Sequence, residues 1–206
     1  MNKIRLLLVD DHAMVRMGLA SLLSTRREFE VVGDAEDGEA AIRKTARLAP
    51  DVVVMDLMMP KMDGAETTQR LLEKVPGAKV LILTTFGSAN GIAHALDVGA
   101  RGAILKSADL DELIGAIKAV ARGERFVASE LEQILSRDPP VPELSPRQAE
   151  ILASITRGHS NAKIADELGI SVPMVKEHLN VLFSKIGATN RAEAIAIALR
   201  KHLLKI

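Results

Sequence analysis

Hydrophobic positions along this chain follow two different rules in its two halves. Up to about residue 121, short apolar runs alternate with longer amphipathic ones. The runs at residues 4–9, 30–35, 51–55, 79–83 and 102–105 have strand length, and "RLLLV" and "VVVM" are apolar on both faces. A strand that is greasy on both faces belongs in a sheet covered by helices on both sides, the usual setting of parallel sheets. Residues 12–24, 38–48, 64–74, 89–98 and 109–121 carry the helical period between those runs. Five strands alternating with five helices predict a doubly wound α/β domain with a parallel sheet.

Residues 125–143 break this rhythm. A short helical piece gives way to Pro139-Pro140-Val141-Pro142, and prolines at that density stop a helix and stiffen the connector. The expected organisation is therefore a first domain over residues 1–122, a linker over 123–143 and a second domain over 144–206. In the second domain only the helical period remains. Ser145-Pro146-Arg147-Gln148 reads as a capping box with proline in the first turn. Further starts fall at Ser160, Ser171 and Asn190, the last with Glu193 three residues on. Leu168-Gly169-Ile170-Ser171 is a tight link, with glycine for a left-handed helix end and serine to cap the next helix. Four short helices with that link predict a helix-turn-helix domain. In the third helix Val175, Leu179, Leu182 and Ile186 form the core stripe. In the last, Ile195, Ala198, Leu199 and Leu203 are read as the apolar side, shared between core and a subunit contact.

Composition narrows the function classes. The 206 residues include no cysteine, which removes disulfides and thiolate metal sites, and 48 % are hydrophobic, enough for a real core. Only a short apolar run precedes Asp10, too short for a signal peptide or a membrane span, and no later run qualifies. The reading is a soluble, cytoplasmic protein with no membrane partner. Net charge is zero, but nine bases against five acids leave residues 144–206 at +4. That bias points weakly to a polyanion partner.

The chemistry lies at predicted strand ends. Asp10-Asp11 close the first strand and Asp56 the third. In a doubly wound sheet of order 2-1-3-4-5 these two strands are neighbours at the switch point, where ligands bind. Three carboxylates gathered there would repel one another and raise each other's pKa. A hard divalent cation such as Mg²⁺ removes that cost and takes oxygen ligands. Thr84 and Lys106 close the fourth and fifth strands and supply a hydroxyl and an ammonium for phosphoryl oxygens. Asp56 is the candidate nucleophile, since carboxylates form aspartyl phosphates. Taken singly, each residue has a plainer reading: Asp10-Asp11 as helix caps, Asp56 as the start of a polar loop, Thr84 as a strand-end hydroxyl, Lys106 as a solvated lysine. The combination on one sheet edge favours the functional reading. Asp63 is left as a helix cap.

These stretches carry a resemblance. "LLLVDDHAMVRMGL", "VVVMDLMMPKMDGAE", "VLILTTF" and "GARGAILKSADLDEL" resemble the flavodoxin-like receiver domain of two-component response regulators. "LSPRQAEILASITRGHSNAKIADELGISVPMVKEHLNVLFSKIGATNRAEAI" resembles the LuxR-type DNA-binding domain. Together they look like the NarL/FixJ subfamily. The resemblance implies that Asp56 accepts a phosphoryl group from a sensor histidine kinase. It implies Mg²⁺ among Asp10, Asp11, Asp56 and the Met58 carbonyl, with Thr84 as switch hydroxyl and Lys106 on the phosphoryl group. It also implies a homodimer on activation, with double-stranded promoter DNA and RNA polymerase as partners. Two departures stand out. Ala103 sits where many receivers carry a switch tyrosine or phenylalanine, and Ser107 follows Lys106 where proline is frequent. A runner-up follows from Ala103: an unphosphorylated receiver that serves only as a dimerisation module for the same DNA-binding role. A third reading, a Mg²⁺-dependent aspartyl phosphatase, lacks the second aspartate it needs, because Met58 occupies that position.

Opposite the core stripe of the third helix lie Lys176, Glu177, Asn180 and Ser184, a face that suits the major groove. Lys176 suits guanine, Asn180 adenine, and Glu177 either cytosine N4 or a neighbouring lysine. Lys185, Lys163, Ser171 and His178 are candidates for phosphate contacts.

Overall fold

The structure is a computed structural model that describes residues 3–85, 89–137, 144–201 and 203. The chain divides into two compact units, Met1–Asp138 and Pro139–Ile206, each with its own hydrophobic core. The proline-rich stretch at residues 139–142, expected as a stiff connector, lies outside the described residues.

The first unit runs β1 (Ile4–Val9), α1 (Ala13–Ser24), β2 (Phe29–Ala35), α2 (Gly38–Leu48), β3 (Val52–Asp56), α3 (Gly64–Lys74), β4 (Val80–Thr84), α4 (Ala89–Asp97), β5 (Gly102–Leu105), α5 (Leu110–Ala121), β6 (Phe126–Val127) and α6 (Ser129–Arg137). Every ladder is parallel and the order is β2-β1-β3-β4-β5-β6. This is the doubly wound, flavodoxin-like architecture. All five residues of both β3 and β4 are buried, which is why those strands read as unbroken apolar runs. The helix starts are local. Asp37, Asp63 and Asp109 each accept a backbone N–H three residues on, from Ala40, Glu66 and Glu112.

The sheet exceeds the five predicted strands. Phe126 and Val127 pair with Gly102 and Ala103 as a sixth strand. Two residues carry no period, so the pattern could not show it. Gly102 is its signature, because a Cβ there would lie 2.6 Å from the Phe126 carbonyl oxygen. Ala128 and Leu131 then enter the first core. The expected linker of residues 123–143 therefore divides: residues 126–137 belong to the first unit, and residues 138–143 lie outside the described ones.

The second unit comprises α7 (Pro146–Thr156), α8 (Asn161–Leu168), α9 (Val172–Ile186) and α10 (Arg191–Arg200). Ser145 and Gln148 close a capping box; Ser160, Ser171 and Asn190 cap the other three helices. Gly169 ends α8 at φ 62° in the left-handed region, where a side chain is strained. Arg147 Nη2 donates to the Leu168 carbonyl at 2.9 Å and ties α7 to the end of α8 just before the turn. One face, that of α10, was read only in part: Ala198 lies in the core with Ile195 and Leu203 packed against it, but Ala194 and Ile197 were not expected there. Leu199 is 56 % exposed. The buried residues keep the helical spacing i, i+3, i+4, but alanines at 192 and 196 flank them and blur which face points inward.

Candidate functional site

Register assembles the first site. Val9 lies opposite Met55 across β1 and β3, so the next residues, Asp10 and Asp56, emerge side by side at the C-terminal edge. Thr84 pairs with Leu105, and the Lys106 backbone N–H donates to the Thr84 carbonyl at 2.7 Å. Parallel strand direction thus puts residues from four segments, some a hundred positions apart, on one edge.

Lys106 Nζ lies 2.6 Å from Asp10 Oδ2 and 2.9 Å from Asp56 Oδ2. Asp56 is 3 % exposed and Asp10 2 %. Two buried carboxylates at one point are costly unless paired, and the shared ammonium provides the pairing. Burial pushes the Asp56 carboxyl above its ordinary range, against the opposing hydrogen bond from Lys106. Burial also works against the Lys106 charge, but the hydrogen bonds to Asp10 and Asp56 outweigh it and hold the ammonium above its ordinary value. Burial penalises both charges, and the Lys106 bridge opposes that penalty at both groups.

Backbone geometry holds the rest. Asp10 Oδ1 accepts the His12 N–H at 2.8 Å, and Asp56 Oδ1 accepts the Met58 N–H at 3.2 Å. The plainer reading of Asp10-Asp11 as side-chain caps does not hold, because the capping position of α1 is His12 and its side chain caps nothing. Beyond Met58 the Met62 N–H donates to the Pro60 carbonyl at 2.8 Å around Lys61, which is held at φ 68°. This γ-turn is a strained conformation for a lysine. Gly64 opens α3 directly under the site: a Cβ there would meet the Asp56 carbonyl oxygen at 2.3 Å, so only glycine allows the approach.

Of the buried side-chain oxygens that receive no hydrogen bond among the described residues, two belong to this edge, Asp11 Oδ1 and Thr84 Oγ1. Carboxylate oxygens of Asp10, Asp11 and Asp56, together with a His12 nitrogen, lie within 4.8 Å of one another. The three carboxylates, one with an unsatisfied buried oxygen, fit a hard divalent cation such as Mg²⁺. Ala103 is fully buried in β5. No aromatic ring stands at that position to move with Thr84.

The second candidate surface is a single helix. Val175, Leu179, Leu182 and Ile186 of α9 are all buried, as the stripe predicts. Lys176, Glu177, Asn180 and Ser184 are exposed on its other side, as is Lys163 on α8; His178 is half-buried. Glu177 forms no ion pair among the described residues, so the alternative in which it holds a neighbouring lysine is set aside. Ser171 Oγ accepts the Met174 N–H at 3.4 Å as cap of α9. Lys185 Nζ donates to Gln148 Oε1 at 3.1 Å, which links α9 to the capping box of α7. Pattern reading missed Met174 and Val181, apolar yet exposed on α9, the latter at 52 %. Their signal is an apolar residue off the core stripe, and such groups suit thymine methyls.

A carboxylate cup at the switch point of one unit and a helix-turn-helix in the other define a class: a regulator whose DNA-binding unit is joined to a receiver. Comparison with known proteins agrees. Residues 6–118 match the response regulator receiver domain family, and residues 142–198 match the family described as bacterial regulatory proteins, luxR family. The transcriptional regulatory protein LiaR of Bacillus subtilis (strain 168) is 37 % identical over 209 residues, covering 98 % of this chain and 99 % of LiaR. The solved response regulator ChrA of a heme-sensing two-component system aligns over 99 % of this chain and 100 % of its own, at 38 % identity and TM-score 0.60. RcsB, solved as two dimers bound to two parallel DNAs, aligns over 97 % of this chain and 99 % of its own, at 25 % identity and TM-score 0.69. The chain belongs to the two-component response regulators, with a receiver domain followed by a LuxR-type DNA-binding domain.

Proposed function

We propose that Asp56 is the phosphoacceptor of this regulator and that its phosphorylation by a sensor histidine kinase controls sequence-specific DNA binding. The observation that carries the reading is the buried pair Asp10 and Asp56 bridged by Lys106, at 2.6 and 2.9 Å. One Asp56 carboxylate oxygen forms the new bond to phosphorus as the bond to the donor breaks, and the donor keeps its electron pair. Lys106 turns from Asp56 to a phosphoryl oxygen, and Thr84 Oγ1, which has no hydrogen-bond partner, donates to another. The Met58 N–H, which donates to Asp56 Oδ1, orients the carboxylate for attack. Asp10, Asp11, Asp56 and the Met58 carbonyl would hold Mg²⁺, which neutralises charge on the transferring group.

On the output side, Lys176, Glu177, Asn180 and Ser184 read base edges, and Lys163, Lys185, Ser171 and His178 contact phosphates. The exposure of Lys176, Glu177, Asn180, Ser184, Lys163 and Ser171, and the burial of the stripe opposite, support this assignment. One small domain offers few cations, so binding as a homodimer follows, as RcsB is solved on DNA. Promoter DNA and RNA polymerase in the cytoplasm are the corresponding partners. No helix among the described residues is long and apolar enough to cross a membrane.

The test is labelling. Acetyl phosphate with Mg²⁺ should modify the wild-type chain at Asp56, mapped by borohydride reduction and peptide mass. Asp56→Asn should lose the label while its circular dichroism stays unchanged. Label on a different residue, or undiminished label in the variant, rejects Asp56.

A further inference from the structure

His12 is the one member of the acidic cluster that phosphoryl acceptance leaves without a task. Its ring is 68 % exposed, at the capping position of α1, yet its side chain makes no cap. It does not turn to solvent. Nδ1 lies 3.3 Å from Asp10 Oδ1 and 2.9 Å from Asp11 Oδ1. The second contact is close but off the line of a hydrogen bond, since Asp11 Oδ1 receives none. The backbone fixes this placement, because the His12 N–H is itself bound to Asp10 Oδ1 at 2.8 Å. The nitrogen faces two carboxylates, one with an oxygen that receives no hydrogen bond, so a cation placed among them lies within reach of the ring and would take the place of the N–H proton held there.

Resting on the reading of this cluster as a cation site, we infer that His12 is a fourth protein ligand and biases the site toward divalent cations that accept imidazole. Three carboxylates alone suit Mg²⁺, a hard ion that keeps oxygen ligands and waters. Adding one nitrogen donor changes the order, since affinity at mixed nitrogen and oxygen sites climbs from manganese through cobalt and nickel. The ring can swing to the ion without disturbing the fold, because it is exposed and fills no core space. Nδ1 binds the metal, and the opposite Nε2 keeps its proton and points to solvent.

The test uses the full chain with Co²⁺ and Mg²⁺ as probes. Calorimetry should show Co²⁺ bound at least roughly tenfold more tightly than Mg²⁺. His12→Asn, chosen because asparagine suits the first position of a helix, should weaken Co²⁺ roughly tenfold and Mg²⁺ far less. The proton spectrum of the Co²⁺ form should contain one strongly shifted, exchangeable imidazole N–H that disappears in the variant. A merely structural histidine would not produce that resonance. Equal Co²⁺ affinity in the two proteins, or a shifted N–H that survives the substitution, overturns the role of His12. Asp11→Asn separates this from the underlying reading. If it leaves both cations bound as tightly as before, the acidic cluster is not the cation site at all; if it releases both while His12→Asn changes neither, only the imidazole is dismissed.

Discussion

The two candidate surfaces solve opposite physical problems. The receiver pocket draws Asp10, Asp56, Thr84 and Lys106 from four segments into a buried edge. The proposed base-reading residues Lys176, Glu177, Asn180 and Ser184 sit on one exposed face of a single helix. In the pocket, function and stability share the same charges, so a change to one disturbs the other. On α9 they are divided between two sides of a helix, with Val175, Leu179, Leu182 and Ile186 holding the fold and the other side left free for a ligand. A switch needs strained or uncompensated groups that an added charge can rearrange. A reading head needs groups with nothing to lose on binding.

That contrast can be broken most forcefully at Lys106. Lys106→Met leaves two buried carboxylates without their shared cation, and should cost about 3 kcal/mol in the absence of divalent ions. The pH dependence follows from the sign. Burial already raises Asp56 above its ordinary 3.8, and without the ammonium it rises further. A carboxylate raised in the folded state contributes stability that is full below 3.8 and is lost as pH climbs through its folded value. Urea unfolding of the variant should therefore show greater stability at pH 5 than at pH 8, with Mg²⁺ restoring part of the loss at pH 8. In the wild type the raised Lys106 contributes stability that is full below 10.5 and fades as pH rises through its folded value. A variant as stable as wild type at pH 8 without divalent ions would show that the pocket charges carry no such cost.

A smaller effect, confined to binding, is expected on α9. Asn180→Ala and Lys176→Ala should each weaken specific DNA by roughly 1–3 kcal/mol and relax preference at one base position. Unfolding free energy should move by less than about 0.5 kcal/mol, because both residues are exposed and unpaired. An equal loss on specific and bulk DNA would reassign either residue to phosphate contact. The smallest effect belongs to Lys163. Lys163→Ala should weaken all sequences alike and lower the slope of log affinity against log salt by about one, checked by fluorescence anisotropy across a salt series.

The same contrast governs how much the sequence revealed. The five strands, the capping Asp63 and serines and the left-handed Gly169 are local signals, and each was readable in the order of residues. The pocket was readable only by adding one topological rule, that parallel strands end on one edge; the register Val9 opposite Met55 then bears it out. Three features escaped. The sixth strand is too short to have a period, and its trace is a glycine needed for backbone approach. The inward face of α10 keeps the helical period, but alternating alanines and isoleucines around the helix hide which register is buried. The bridging position of Lys106 between two acids depends on atomic reach, which spacing along a chain does not encode.

The measurement that joins the two surfaces is DNA affinity of the full chain with and without beryllofluoride, an acyl-phosphate mimic, in wild type and in Asp56→Asn. Phosphorylation control predicts that the mimic tightens wild-type binding by about 1–3 kcal/mol and leaves the variant unchanged. Identical affinity with and without the mimic in the wild type would contradict control of DNA binding through Asp56.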